Sequence, residues 1–139
     1  MKISLAIFSF LLITFSNGLV AQTPDWLTGT WKGFGHQPNG LTQTEWSMTL
    51  TFKSAQTGDA KISVDYPSLK CGGTWTLQTV DINRCIFKEN LTYGKKNCMD
   101  GGTCIVSQVD ENYIHIAFYN DYSDASKITS SSLLRKEIK

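Results

Sequence analysis

The sequence predicts an all-β domain, an eight-stranded antiparallel up-and-down barrel. Alternation of apolar and polar residues with period two dominates the chain, as half-buried strands require, and no long segment shows the 3.6-residue period of an amphipathic helix. Turn-forming residues break this alternation at short, even intervals, and closing so many short strands into a barrel removes exposed edges. Four cysteines lie between the strand-like segments of the middle of the chain. Behind an apolar N-terminus, that even count predicts a disulfide framework in a small exported domain.

The elements follow in order. Met1-Lys2 is a short basic start, Ile3 to Phe15 is almost wholly apolar, and Asn17 to Ala21 supplies a break and a small residue. This is the layout of a secretory signal peptide over 1–21, with Gln22 as the mature start and a cut after Gly18 as the alternative. The apolar run is short for a membrane span, and no second run follows. Residues 22–139 then form one domain of about 118 residues, large enough to bury a core of its own. Strands are predicted at Trp26–His36, Glu45–Lys53, Ala60–Tyr66, Gly73–Val80, Arg84–Thr92, Thr103–Val109, Tyr113–Tyr119 and Lys127–Lys136. The clearest is the second, where Trp46, Met48, Leu50 and Phe52 alternate with polar residues. Turn signals separate the strands, among them Gln37-Pro38-Asn39-Gly40, Gln56-Thr57-Gly58-Asp59 and Asp110-Glu111-Asn112.

Composition excludes several classes of function. A net charge of +1 gives no electrostatic case for nucleic acid or anionic membrane. The cysteines lack the C-x-x-C spacing of a zinc site, and His36 and His115 fall on distant strands as surface residues, so no metal is expected. Ser130-Ser131-Ser132 has no nucleophile-elbow context and reads as plain strand, while Asn90-Leu91-Thr92 fits a glycosylation sequon only in mid-strand. No catalytic residues and no cofactor are predicted, and a monomer is expected. Of the three ways to pair four cysteines, the strand reading favours Cys71–Cys98 and Cys85–Cys104, the second as a bridge between the fifth and sixth strands.

Leu27-Thr28-Gly29-Thr30-Trp31 near the start and Leu133-Leu134-Arg135 near the end resemble the calycin group, the lipocalins and avidins. That resemblance implies that Trp31 packs beneath the barrel with Arg135 stacked on it. A second pattern comprises Val64 to Thr74, which contains Tyr66-Pro67-Ser68-Leu69-Lys70-Cys71-Gly72-Gly73, then Phe87 to Gly94 and Cys98 to Gly102. It covers about half of the mature chain and is similar to a domain in exported regions of bacterial proteins, including the extracellular parts of some serine/threonine kinases. It implies a sensing or binding role, with Cys71 and Cys98 as the family pair and Cys85 and Cys104 as an addition.

Trp46, Phe52, Tyr66, Trp75, Phe87 and Phe118 are assigned inward, and Glu89 shares the inward face of Cys85, Phe87 and Leu91. An inward carboxylate must find a partner or stay protonated. It is either a ligand anchor or a structural group bonded to turn amides, Arg84 or Arg135. An eight-stranded barrel is just wide enough to be filled by side chains or to hold one small ligand. The functional expectation is an exported, secreted or periplasmic, non-catalytic protein that binds a small, partly apolar molecule at the barrel mouth. Trp46, Tyr66, Trp75 and Glu89 would make the contacts, with Phe34 and His36 where the first strand meets its loop. The alternative is a protein inhibitor or immunity-like factor against an extracytoplasmic enzyme.

Overall fold

The computed structural model describes residues 20–37, 45–59, 62–120 and 127–138. Most of the expected signal peptide lies outside the described residues. Eight strands form one closed antiparallel barrel in chain order: β1 (Gly29–His36), β2 (Glu45–Phe52), β3 (Ile62–Tyr66), β4 (Cys71–Asp81), β5 (Arg84–Tyr93), β6 (Thr103–Gln108), β7 (Tyr113–Tyr119) and β8 (Ile128–Lys136). Closure comes from β1 pairing with β8, with Trp31 opposite Lys136 and His36 opposite Ser131. The predicted all-β eight-stranded fold is therefore the observed one. Among the described residues, no helix is long and apolar enough to cross a membrane.

The main departure is at the start of β1. Trp26 and Leu27 lie not in the strand but in a short 3-10 helix, η1 (Asp25–Leu27), entered from Pro24. A proline fits the entry to a helical turn because its missing N–H is one the turn does not use. The turn drives Leu27, fully buried, into the lower end of the barrel. Trp31 sits there too, and its indole N–H donates to the Leu27 carbonyl at 2.8 Å. The cation over the Trp31 ring is Lys136, with its Nζ 5.1 Å from the ring centroid and donating to the Trp26 carbonyl at 3.3 Å. This corrects the expectation for Arg135. Side chains alternate along β8, so the residue that shares the inward side with Leu134 is Lys136, while Arg135 points to solvent.

The core runs the length of the barrel. Phe52, Trp75 and Phe87 form a triangle of rings with centroids 5.6–6.3 Å apart. Phe118 meets Trp75 edge-on at 6.2 Å, and Trp46 meets Phe118 at 6.3 Å. Each such pair adds about 0.5–1.5 kcal/mol beyond the area it buries. The six predicted inward aromatics all belong to, or pack against, this core.

One disulfide is present, Cys71–Cys98, with Cα atoms 6.4 Å apart. The predicted Cys85–Cys104 bridge is not formed, and both are free, buried thiols. The register gives the reason. Cys85 faces Val106 and Cys104 faces Phe87, so the two lie diagonally across the β5–β6 ladder, where Cα atoms stand beyond the usual disulfide span. Burial pushes the Cys85 thiol up to about 12 and Cys104 well above its usual range, the latter with a contribution from Glu89. Since the thiolate is the reactive form, an aromatic disulfide reagent should titrate essentially no thiol in the folded protein and two per chain after unfolding. Rapid reaction of either thiol under native conditions would contradict the assigned burial.

Candidate functional site

The upper end of the barrel, opposite η1, gathers the site. Tyr66 is the last residue of β3, Trp75 lies in the upper half of β4, and Glu89 pairs with Trp75 across the β4–β5 ladder. Alternation turns Glu89 inward together with Phe87 and Leu91. The backbone above it is fixed from the β5–β6 loop: the Glu89 amide donates to the Gly102 carbonyl, and the Leu91 amide to the Asp100 carboxylate at 2.7 Å.

Glu89 is 7 % exposed. Its Oε1 accepts from the Tyr66 hydroxyl at 2.5 Å and from the Trp75 indole N–H at 3.1 Å. Among the described residues nothing bonds its Oε2, and that oxygen is not among the fully buried unpartnered atoms, so the small exposure of Glu89 includes it. The partners are neutral donors, neither turn amides nor an arginine as expected. Arg84 pairs instead with Asp81 at the lower end. The charged neighbour of Glu89 is itself an acid, Asp100, which is held by Lys95 at 2.8 Å.

Burial raises the Glu89 carboxyl, the Tyr66 and Trp75 bonds oppose this, and Asp100 adds to it. The same burial, with Glu89 beside it, lifts Tyr66 far above the usual phenol range. The Glu89 shift sets the sign of a stability effect. Its folded carboxyl binds a proton more tightly than the unfolded one, so its contribution is fully present below the usual glutamate range. It is lost as pH rises through the higher folded value. Glu89→Gln, which keeps an acceptor for both donors, should therefore gain stability relative to wild type between acid and neutral pH, as read by denaturant melts. A difference that is flat over that range would contradict the raised carboxyl.

Trp46 is half-buried on the other side of this layer. Its indole lies against Gly35, where a Cβ would come within 2.3 Å of the ring and 2.7 Å of the Ser132 hydroxyl. Gly35 is thus the seat of Trp46, and Ser132 Oγ, beneath it, is buried without a hydrogen-bond partner. The sequence alone presents Ser130 to Ser132 as plain strand. The signal within it is parity: Ser130 and Ser132 share the inward side with Leu134. Cys104, turned inward close to Glu89, belongs to the same neighbourhood.

Phe34 and His36 do not join this group. Both point outward from β1, where Phe34 is half exposed beside Leu133 and His36 lies 3.7 Å from Glu45. A cleft of about 610 Å³ lies at the opposite, lower end, beside Thr30, Thr51, Lys53 and Glu137. It holds none of the predicted contact residues, and its Glu137 is engaged by Lys32 at 2.5 Å.

The loops around Glu89 are tied together. The Cys71–Cys98 bridge joins the start of β4 to the β5–β6 loop, and Asn97 Nδ2 donates to the Leu69 carbonyl at 2.9 Å. Gly94, at φ +64°, packs against Lys70 and Cys71 so closely that any Cβ would fall 2.1 Å from a carbonyl oxygen. Tyr93 donates a very short hydrogen bond to Asp65 on the outer face, which lifts its phenol to about 12.

Fold and site together define a closed antiparallel β-barrel, filled at mid-height by aromatic rings, with the buried Glu89 carboxylate and the Trp46 and Trp75 indoles at its upper end. Among the described residues, no group of three or more His, Cys, Asp or Glu side chains could hold a metal. Comparison with protein-family models, with curated proteins and with solved structures finds no match.

Proposed function

We propose that the chain is an exported, non-catalytic binding protein that takes a small, partly apolar ligand at the upper end of its barrel. The observation that carries this reading is the convergence of Trp46, Tyr66, Trp75 and Glu89 on one layer, with rigid loops above it and packed rings beneath. Apolar walls with a few convergent polar groups are the usual make-up of a small-molecule site. The lower rings and the fully buried Trp75 leave the ligand no deeper seat, so it would rest on the partly exposed Trp46 and Phe118. Export is supported by the apolar N-terminus and by the disulfide. The calycin likeness is supported by the strand count and by Trp31 at the plugged end, and it bears on fold alone.

The stapled loops favour a second reading, a protein inhibitor of an extracytoplasmic enzyme. Tyr93 and Met99, both substantially exposed, flank the Cys71–Cys98 bridge, and loops held rigid before binding lose little entropy on docking. Purification from the host under native conditions separates the two. A co-purifying small molecule, detected by native mass spectrometry, supports the first reading. A stoichiometric protein partner captured from the periplasm or medium supports the second and counts against the first.

A further inference from the structure

Buried carboxylates are paired with cations, satisfied by several donors, or neutral. Glu89 has two neutral donors on one oxygen, no protein bond to the other, and no cationic partner among the described residues. Arg84 and Lys95, the cations near the ends of β5, are each committed to an aspartate, Asp81 and Asp100. Among the described residues, the groups that face Glu89 are the Tyr66 phenol of β3, the Trp75 indole of β4, the Cys104 thiol of β6 and the Asp100 carboxylate of the β5–β6 loop. None of these is positive, and Lys88, the cation next to Glu89 in β5, points outward and acts on Cys104. Asp100, although paired with Lys95, still raises the Glu89 carboxyl instead of relieving it.

We propose that the missing counter-ion is the ligand: an organic ammonium with an apolar body, its charged head on Glu89 Oε2 and its body against Trp46 and Phe118. This rests on the binding role proposed above and names its chemical class. Two independent features select an ammonium over other ligands. An acid would meet the Glu89 carboxylate, which is unfavourable to it. A metal ion would need further hard or sulfur ligands, and no cluster of three exists among the described residues. The aromatic faces fit an alkylammonium, which they attract through the ring quadrupole while burying its hydrocarbon. The hydroxyl of Tyr66 and the indole N–H of Trp75 hold Oε1 in place, so the orientation of Oε2 is fixed before a ligand arrives.

Three probes that share one phenylpropyl skeleton and differ in the head group test this: 3-phenylpropylammonium, 3-phenylpropan-1-ol and 3-phenylpropionate, titrated into the full mature protein and followed by the indole N–H signals in two-dimensional NMR. The ammonium should bind at least about tenfold more tightly than the alcohol, and the acid more weakly still. In Glu89→Gln the ammonium should lose about tenfold in affinity while the alcohol is unchanged. Wild type supplies a check that needs no variant: ammonium affinity should fall with acidification as Glu89 takes up a proton, and alcohol affinity should not. Equal binding of ammonium and alcohol, or an ammonium affinity indifferent to pH and to Glu89→Gln, would overturn the ligand class and leave the binding role standing. If none of the three shifts the Trp46 or Trp75 signals at millimolar concentration, the binding role at this end falls with it.

Discussion

Trp75→Ala is expected to cost about 3–5 kcal/mol of folding stability, the range for truncating a buried aromatic. Trp75 is fully buried and contacts Phe52, Phe87 and Phe118, so truncation opens a void at the centre of the packed rings. It also removes one of the two donors to Glu89, leaving the carboxylate on Tyr66 alone. Trp75→Phe separates the terms. It restores most of the ring volume, so the cost that remains reports the lost N–H, about 1–3 kcal/mol for a bond to a charged or buried acceptor. Phe34→Ala is the control. Phe34 points outward, so its truncation should change stability by less than about 0.5 kcal/mol. Chemical-denaturation midpoints of the three variants check the order. A Trp75→Ala cost no larger than that of Phe34→Ala would mean that the barrel interior is not packed as described.

Removing the disulfide with Cys71→Ser and Cys98→Ser together should cost about 3–4 kcal/mol, since the bridge closes a segment with a sequence separation of 27. For a domain of this size, that corresponds to a fall in Tm of roughly 12–16 °C. The effect should be local as well as global. The bridge ties the β5–β6 loop to the start of β4, and without it the Asn97–Leu69 and Asp100–Leu91 bonds must hold that loop alone. Amide hydrogen exchange at Leu91 and Asn97 should therefore rise more than at Ile114 or Ile116 on the far side of the barrel. Uniform exchange changes across all strands would contradict the assigned role of the bridge.

Much of the fold was legible because period-two alternation is a strong signal when one face of every strand is buried. The eight strands, their order and the six inward aromatics follow from it. The misreadings each have a physical cause. Lys136 was passed over for Arg135 because the calycin resemblance implied only a basic residue on the last strand, and it is parity with the inward Leu134 that selects Lys136. The Cys85–Cys104 pairing failed because register depends on the length and shape of the β5–β6 loop, which Asp100 and the Cys71–Cys98 bridge shape through contacts distant in sequence. Strand one was drawn too long because a 3-10 turn of three residues leaves no periodic trace.

The site was legible in part. Inward placement of Glu89, Tyr66, Trp75 and Trp46 followed from parity, and the structure brings Tyr66 and Trp75 onto Glu89. Which atoms would meet was not readable, because the partners come from three strands separated by loops whose geometry sequence does not specify. Phe34 and His36 were expected beside the mouth on proximity to a loop, and parity puts both outside. Gly35 carried a signal of a different kind: a glycine opposite a tryptophan on the neighbouring strand gives a large ring a flat surface on which to lie.

Glu89 is a buried acid held by neutral donors, with no cation among the described residues bonded to it. The most direct test follows the Trp75 indole N–H, which donates to Glu89, by NMR as a function of pH in the ligand-free protein. The account predicts that this signal titrates with a midpoint above the ordinary glutamate range, that the Trp31 signal, bonded to a carbonyl, does not move with it, and that Glu89→Gln abolishes the titration. A Trp75 signal that is flat with pH, or one that titrates at or below the ordinary glutamate range, would contradict it.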